Sequence, residues 1–70
     1  MKALDDMLLD AHEAGDTGAL VGLYAQAADG ANDRDAACFY LTHAYIFALE
    51  KGDMRASDLH ARLKAEGREA

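Results

Sequence analysis

The chain predicts an all-α fold: four helices forming two helix-turn-helix hairpins around a central apolar helix. Three observations predict it. The 70 residues contain no proline, which removes the commonest helix breaker. Of the six glycines, Gly15, Gly52 and Gly67 fall where runs of helically spaced apolar residues end, as helix C-terminal stops do. Between the first two lies Ala36 to Leu49, AACFYLTHAYIFAL, interrupted by strongly polar side chains only at Thr42 and His43. It falls short of the roughly 20 apolar residues a membrane span needs and suits a core helix. Apolar on nearly every face, it is expected to be covered on several sides. The other three helices, each one-sided, are expected to be its coat.

The first helix is predicted over about residues 3–14, with Leu4, Met7, Leu8, Ala11 and Ala14 recurring at helical spacing and Asp5, Asp6, Asp10 and Glu13 facing elsewhere. Gly15 stops it, and Asp16 follows as the N-cap of the second. The second helix, about residues 17–28, gathers Leu20, Leu23, Tyr24 and Ala27 on one face. Gly18 and Gly22 weaken it by about 1 kcal/mol each relative to alanine, and are expected to permit close helix–helix approach. Asp29, Gly30 and Ala31 form a loop, Asn32 or Asp33 caps the central helix, and that helix continues to about Lys51. Gly52 ends it. Asp53 caps a fourth helix over about residues 54–66, with a narrow seam of Ala56, Leu59 and Leu63 and a polar back of Arg55, Asp58, Arg62, Lys64 and Glu66. Gly67 closes it, and residues 68–70 are expected to fray.

Composition narrows the function classes. Seventy residues make one small domain, 1–70, with units of about 1–33 and 34–70. A chain this short buries only about 60% of its unfolded surface, so oligomerisation or a partner is a common supplement. Net charge is −6, all of it in residues 1–33, where seven acids face Lys2 alone; residues 34–70 balance six acids with six bases. The bases gather late, at Lys51, Arg55, Arg62, Lys64 and Arg68. An acidic half argues against nucleic acid and anionic membrane surfaces as direct partners. Cys38 is the single cysteine, so no internal disulfide forms, and its apolar neighbours predict a buried thiol. A cytoplasmic, reducing compartment is expected, and the acids of the first helix interrupt the pattern of a signal peptide.

A shift of 37 aligns Leu4 with Leu41, Ala11 with Ala48, Glu13 with Glu50, Gly15-Asp16 with Gly52-Asp53, and Ala19 with Ala56. The physical content is a helical hairpin used twice, with a Gly-Asp turn ending one helix and capping the next. Leu41-Thr42-x-x-Tyr45 with Ala44 resembles the first helix of a tetratricopeptide (TPR) repeat, and Leu20, Tyr24 and Ala27 resemble its second. The chain departs from that family in its period of 37 rather than 34, in Cys38 where a large aromatic is expected, in Ala61 and Lys64 at packing positions of the last helix, and in lacking the closing proline. The resemblance implies a scaffold that holds peptides or partner subunits, with no catalytic residue.

The residues offer little chemistry. His43 and Cys38 stand about 140° apart around a helix, which argues against a nucleophile pair. His12 and His60 lie on other helices without metal-ligand spacing, so no metal and no cofactor is expected. Asp29, Asn32, Asp33 and Asp35 lack the alternation of a calcium loop, and loop and capping duty is expected of them. Asp6, Asp10 and Glu13 read as a solvated face. No phosphate loop or paired carboxylates in an apolar setting occur, so the chain is not expected to be an enzyme.

Tyr40, Tyr45, Phe39, Ile46 and Phe47 carry the sharpest expectation: they point in several directions around the central helix, three slim, alanine-rich helices are expected to leave part of them uncovered, and a leftover apolar patch is an interaction site. The expected function is therefore a protein–protein interaction module. It binds a partner protein or a second copy as a two-fold homodimer, through Tyr24, Tyr40, His43, Tyr45 and Phe47. Two competing readings remain at this point. One is an acidic decoy whose Asp5, Asp6 and Asp10 occupy the basic groove of a nucleic-acid-binding protein. The other is an enzyme or ligand carrier with a site at a dimer interface near His43.

Overall fold

A computed structural model describes residues 3–67 of the chain. Its elements are α1 (Leu4–Ala14), α2 (Thr17–Asp29), α3 (Arg34–Lys51) and α4 (Arg55–Ala65), with no strand among the described residues. The fold class is all-α, as expected. The expected fraying of residues 68–70 lies outside the described residues.

The helix boundaries follow from their caps. Gly15 and Gly52 take left-handed backbone at φ 66° and 70°, where a Cβ would be strained and glycine is not. Both turns then close with the same pair of bonds. Asp16 N–H donates to Ala11 O and Gly15 N–H to His12 O; Asp53 N–H donates to Ala48 O and Gly52 N–H to Leu49 O. This is the Schellman arrangement, in which two otherwise unsatisfied helix carbonyls find donors. Asp16 caps α2 by accepting from Ala19 N–H, and Asp33, rather than Asn32, caps α3 by accepting from Ala36 N–H. At α4 the cap shifts by a residue. Met54 occupies the N-cap in helical backbone, yet the Asp53 carboxylate accepts the Arg55 N–H at 2.9 Å. The expected duty is performed from one position further out.

Packing runs in chain order: α1 lies along α2, α2 along α3, and α3 along α4. The result is flat, 34 × 29 × 13 Å. Val21, Ala28, Leu41, Ala44, Ala48, Leu59 and Leu63 form the shared core of α2, α3 and α4. Leu41, Ala44 and Ala48 at i, i+3 and i+7 set one face of α3 into it. Cys38 is buried beside them.

The coat around α3 differs from the expected one. α2 and α4 cover it, while α1 is carried on α2 and reaches α3 through the His12 ring, 5.8 Å from that of Phe47. The reason lies in α2. It buries Leu20 and Ala27 as expected, but also Val21 and Ala28, and this broader apolar arc accommodates α1 and α3 at once.

Gly18 and Gly22 also serve differently from the expectation. A Cβ at Gly18 would stand 3.2 Å from Lys51 Cε, and one at Gly22 would stand 3.3 Å from Arg55 Nη1. The space admits long side chains rather than a neighbouring backbone. Arg55 uses it to donate from Nη2 to Gly18 O at 3.1 Å while holding Asp53 through Nε and Nη2.

Candidate functional site: the aromatic stack and the outward face of α3

Tyr40, His43 and Phe47 recur at i, i+3 and i+7 on α3, so their side chains share one face. Tyr24 rises from α2 to meet that face. Its ring stacks on His43 at 5.1 Å and on Phe47 at 5.8 Å, and lies 6.3 Å from Tyr40. Its hydroxyl is 2.9 Å from His12 Nε2, which ties α1 into the stack. Aromatic pairs in such geometry contribute about 0.5–1.5 kcal/mol each beyond their buried area. Four of the five sequence-predicted residues, Tyr24, Tyr40, His43 and Phe47, therefore come together. Tyr45 does not join them: it faces α4, its ring 5.5 Å from that of His60. All five are half-buried, and much of their surface serves intramolecular packing.

The polar groups within the apolar run are satisfied inside α3 itself. Thr42 Oγ1–H donates to Cys38 O at 2.8 Å, and His43 Nδ1–H donates to Phe39 O at 2.9 Å. A carbonyl only accepts, so the neutral His43 ring carries its proton on Nδ1 and keeps Nε2 as its acceptor. Both residues thereby sit on a hydrophobic helix without an unmet donor.

Beside the stack lie the residues left open: Phe39 and Ile46, which the sequence reading counts in the apolar excess but does not place on the binding surface, and Leu49, which it does not single out. Phe39 is 58% exposed, Ile46 47% and Leu49 55%, and Thr42 between them is exposed as well. Positions 39, 42, 46 and 49 repeat at i, i+3, i+7 and i+10, the spacing of an a/d seam. That count was available in the sequence; what hid it was the apolar character of every other face of the same helix. Phe39 joins the seam to the stack through Tyr40 at 5.6 Å and His43 at 4.4 Å.

Charged residues frame these surfaces. Asp5 of α1 and Tyr40 of α3 line a cleft of about 360 Å³ together with Leu4 and Leu8. A larger cleft, about 530 Å³, adjoins it across Ala31, Asn32 and Asp33 and opens against Arg34, Arg62 and Glu66. There Arg34 pairs with Glu66 and Arg62 with Asp29; Asp29, expected in the loop, is the last residue of α2 and ties that helix to α4. Asp6, Asp10 and Glu13 are exposed along α1. The Arg55 guanidinium, through its side-chain hydrogen bonds, holds the Asp53 carboxyl down at about 2, and Asp53 in turn raises Arg55. Among the described residues no group of three or more His, Cys, Asp or Glu is placed to hold a metal ion, and no helix is long and apolar enough to cross a membrane. Comparison of the chain with family models, curated proteins and solved structures finds no match.

Proposed function

We propose that this chain is a non-enzymatic protein–protein interaction module of TPR-like hairpins that binds another chain through the aromatic and apolar surface of α3, within a reducing, cytoplasmic compartment. The observation that carries the proposal is the exposure of Phe39, Ile46 and Leu49 along one line of a helix whose other faces are packed. Half-exposed side chains of this size offer about 100 Å² each. Together with the edges of Tyr40 and His43 they approach the few hundred Å² at which an apolar patch marks an interface. The stack behind them supplies rigidity. Tyr24 clamps three α3 rings and bonds to α1, so the surface is ordered before a partner arrives, which lowers the entropic cost of binding.

The test is Ile46→Lys, examined by light scattering at micromolar concentration and by affinity capture from the native cell. Ile46 is half-exposed, so the variant should keep its helicity and melt within about 0.5 kcal/mol of wild type. Loss of a specific partner, or of a dimer, in the variant alone supports the proposal. A clean 7.5 kDa particle with identical captured proteins for both forms refutes it.

A further inference from the structure

Packing covers α3 on every side but one. Leu41, Ala44 and Ala48 belong to the core shared with α2 and α4, and Tyr40, His43 and Phe47 meet Tyr24, while Phe39, Thr42, Ile46 and Leu49 stay open. At 3.6 residues per turn these four lie within about 40° of the direction opposite Ala44, which is fully buried. The seam therefore runs along the side of α3 farthest from its own core. Its backbone groups are consumed by an 18-residue helix, so recognition falls to side chains at a/d spacing, and another helix fits such a seam.

The seam is self-complementary. Its spacing of three, four and three residues reads the same in both directions about the level of Ala44. A two-fold axis at that level, with the helices antiparallel, sets Phe39 against the partner's Leu49 and Thr42 against the partner's Ile46, each twice. The overlap then runs from residue 37 to residue 51, nearly the whole of α3 (Arg34–Lys51). The hydroxyl this buries, on Thr42, already donates to Cys38 O at 2.8 Å, so it enters a dry seam with its proton satisfied. Phe39, Ile46 and Leu49 bring about 300 Å² of exposed side chain from each copy. With the flanks of about four turns of helix, the pair stands at the small end of specific interfaces, about 1,200 Å² in total or less. Such a dimer dissociates on dilution.

Resting on the proposed function, we infer that the occupant of the Phe39–Thr42–Ile46–Leu49 seam is a second copy of this chain, its α3 lying antiparallel across a two-fold axis at the level of Ala44. Charge selects the antiparallel arrangement. At 1.5 Å per residue it leaves Glu50 about 18 Å along the axis from the partner's Glu50, and Asp35 about 27 Å from the partner's Asp35. Both separations exceed the screening length of about 8 Å in physiological salt. Parallel pairing would set each acid level with its own copy, and would align the two helix dipoles instead of opposing them. The net charge of −6 belongs to residues 1–33, whereas residues 34–70, which carry the seam, balance six acids with six bases.

The experiment is sedimentation equilibrium of the full chain from micromolar to millimolar concentration, followed by cysteine cross-linking. The wild type should pass from 7.5 kDa to twice that mass as concentration rises. Ile46→Lys, at the centre of the seam, should weaken the dimer at least about thirtyfold, as loss of an interface anchor does. Leu49→Lys should act in the same direction, and both variants should keep the wild-type circular dichroism in dilute solution. Orientation is read by mixing Phe39→Cys with Leu49→Cys at concentrations where the two associate. Mild oxidation should link the mixture but neither variant to itself, since each position lies about 15 Å along the axis from its own copy. The wild type, whose Cys38 is buried, is the control and should not link. Self-linking of either variant, or no link in the mixture, overturns the antiparallel register. A dimer that survives both lysine substitutions lies on another face and overturns the inference. A wild type that stays at 7.5 kDa throughout also overturns it, and the proposed function falls with it only if Ile46→Lys leaves the proteins captured from cells unchanged.

Discussion

Gly18→Ala and Gly22→Ala place the same methyl group at two successive turns of α2 and should differ in outcome. Mid-helix glycine costs about 1 kcal/mol relative to alanine, so Gly22→Ala begins with that gain and Gly18→Ala, at the second residue of α2, with about half of it. At Gly18 the new Cβ meets Lys51 Cε at 3.2 Å, the far end of a flexible, exposed side chain that swings into solvent. That gain survives, and the melting temperature should rise by about 2–4 °C for a domain of this size. At Gly22 the Cβ meets Arg55 Nη1 at 3.3 Å. That guanidinium is held by Asp53 through Nε and Nη2 and by Gly18 O through Nη2, so shifting it by a few tenths of an ångström strains several bonds together. Net hydrogen bonds contribute about 0.5–1.5 kcal/mol each, enough to cancel the gain and leave Gly22→Ala within about 0.5 kcal/mol of wild type. Thermal and urea melts followed by circular dichroism measure both. In an Arg55→Ala background Gly22→Ala should recover the full gain, and the difference is the coupling energy between the two positions. A Gly22→Ala protein stabilised by its full gain, with Arg55 intact, would refute the assignment of these glycines to side-chain passage.

Two further predictions concern the core and the second Gly-Asp turn. Leu63 is fully buried in the α2–α3–α4 cluster, so Leu63→Ala should cost about 2–5 kcal/mol. Against a total of about 4–10 kcal/mol for a domain of this length, that should leave a large unfolded fraction at room temperature, visible in the urea baseline. Asp53 titrates at about 2 in the fold against an ordinary 3.8, so the unfolded chain takes up this proton more readily. Its contribution is therefore complete above pH about 4 and is lost as pH falls toward about 2. Asp53→Asn should flatten the melting temperature in that window; an unchanged pH profile would count against the Asp53–Arg55 pairing.

Local signals settled the elements. The Gly-Asp turns were legible because two left-handed positions demand glycine and two exposed helix starts demand a carboxylate, and both requirements are met within a few residues. Core positions on the one-sided helix α4 were equally readable, since a narrow seam has one way to face inward. The residues of the stack were legible only by their aromatic character; that Tyr40, His43 and Phe47 share a face follows from helical spacing, and that Tyr24 meets it needed the position of α2. Tyr45 was grouped with them on aromatic character alone, and its turn toward His60 needed the position of α4.

What the chain alone determined, then, is its division into four helices, their caps, and an excess of apolar surface on the third. Each of these depends on residues close in sequence, whose contacts are fixed by helical geometry. Which part of that excess stays open was decided only by tertiary packing. α3 is apolar all round, so its own pattern has no preferred inward side, and the choice fell to its neighbours. α2 and α4 took the side of Leu41, Ala44 and Ala48, Tyr24 took that of Tyr40, His43 and Phe47, and Phe39, Ile46 and Leu49 were left facing outward.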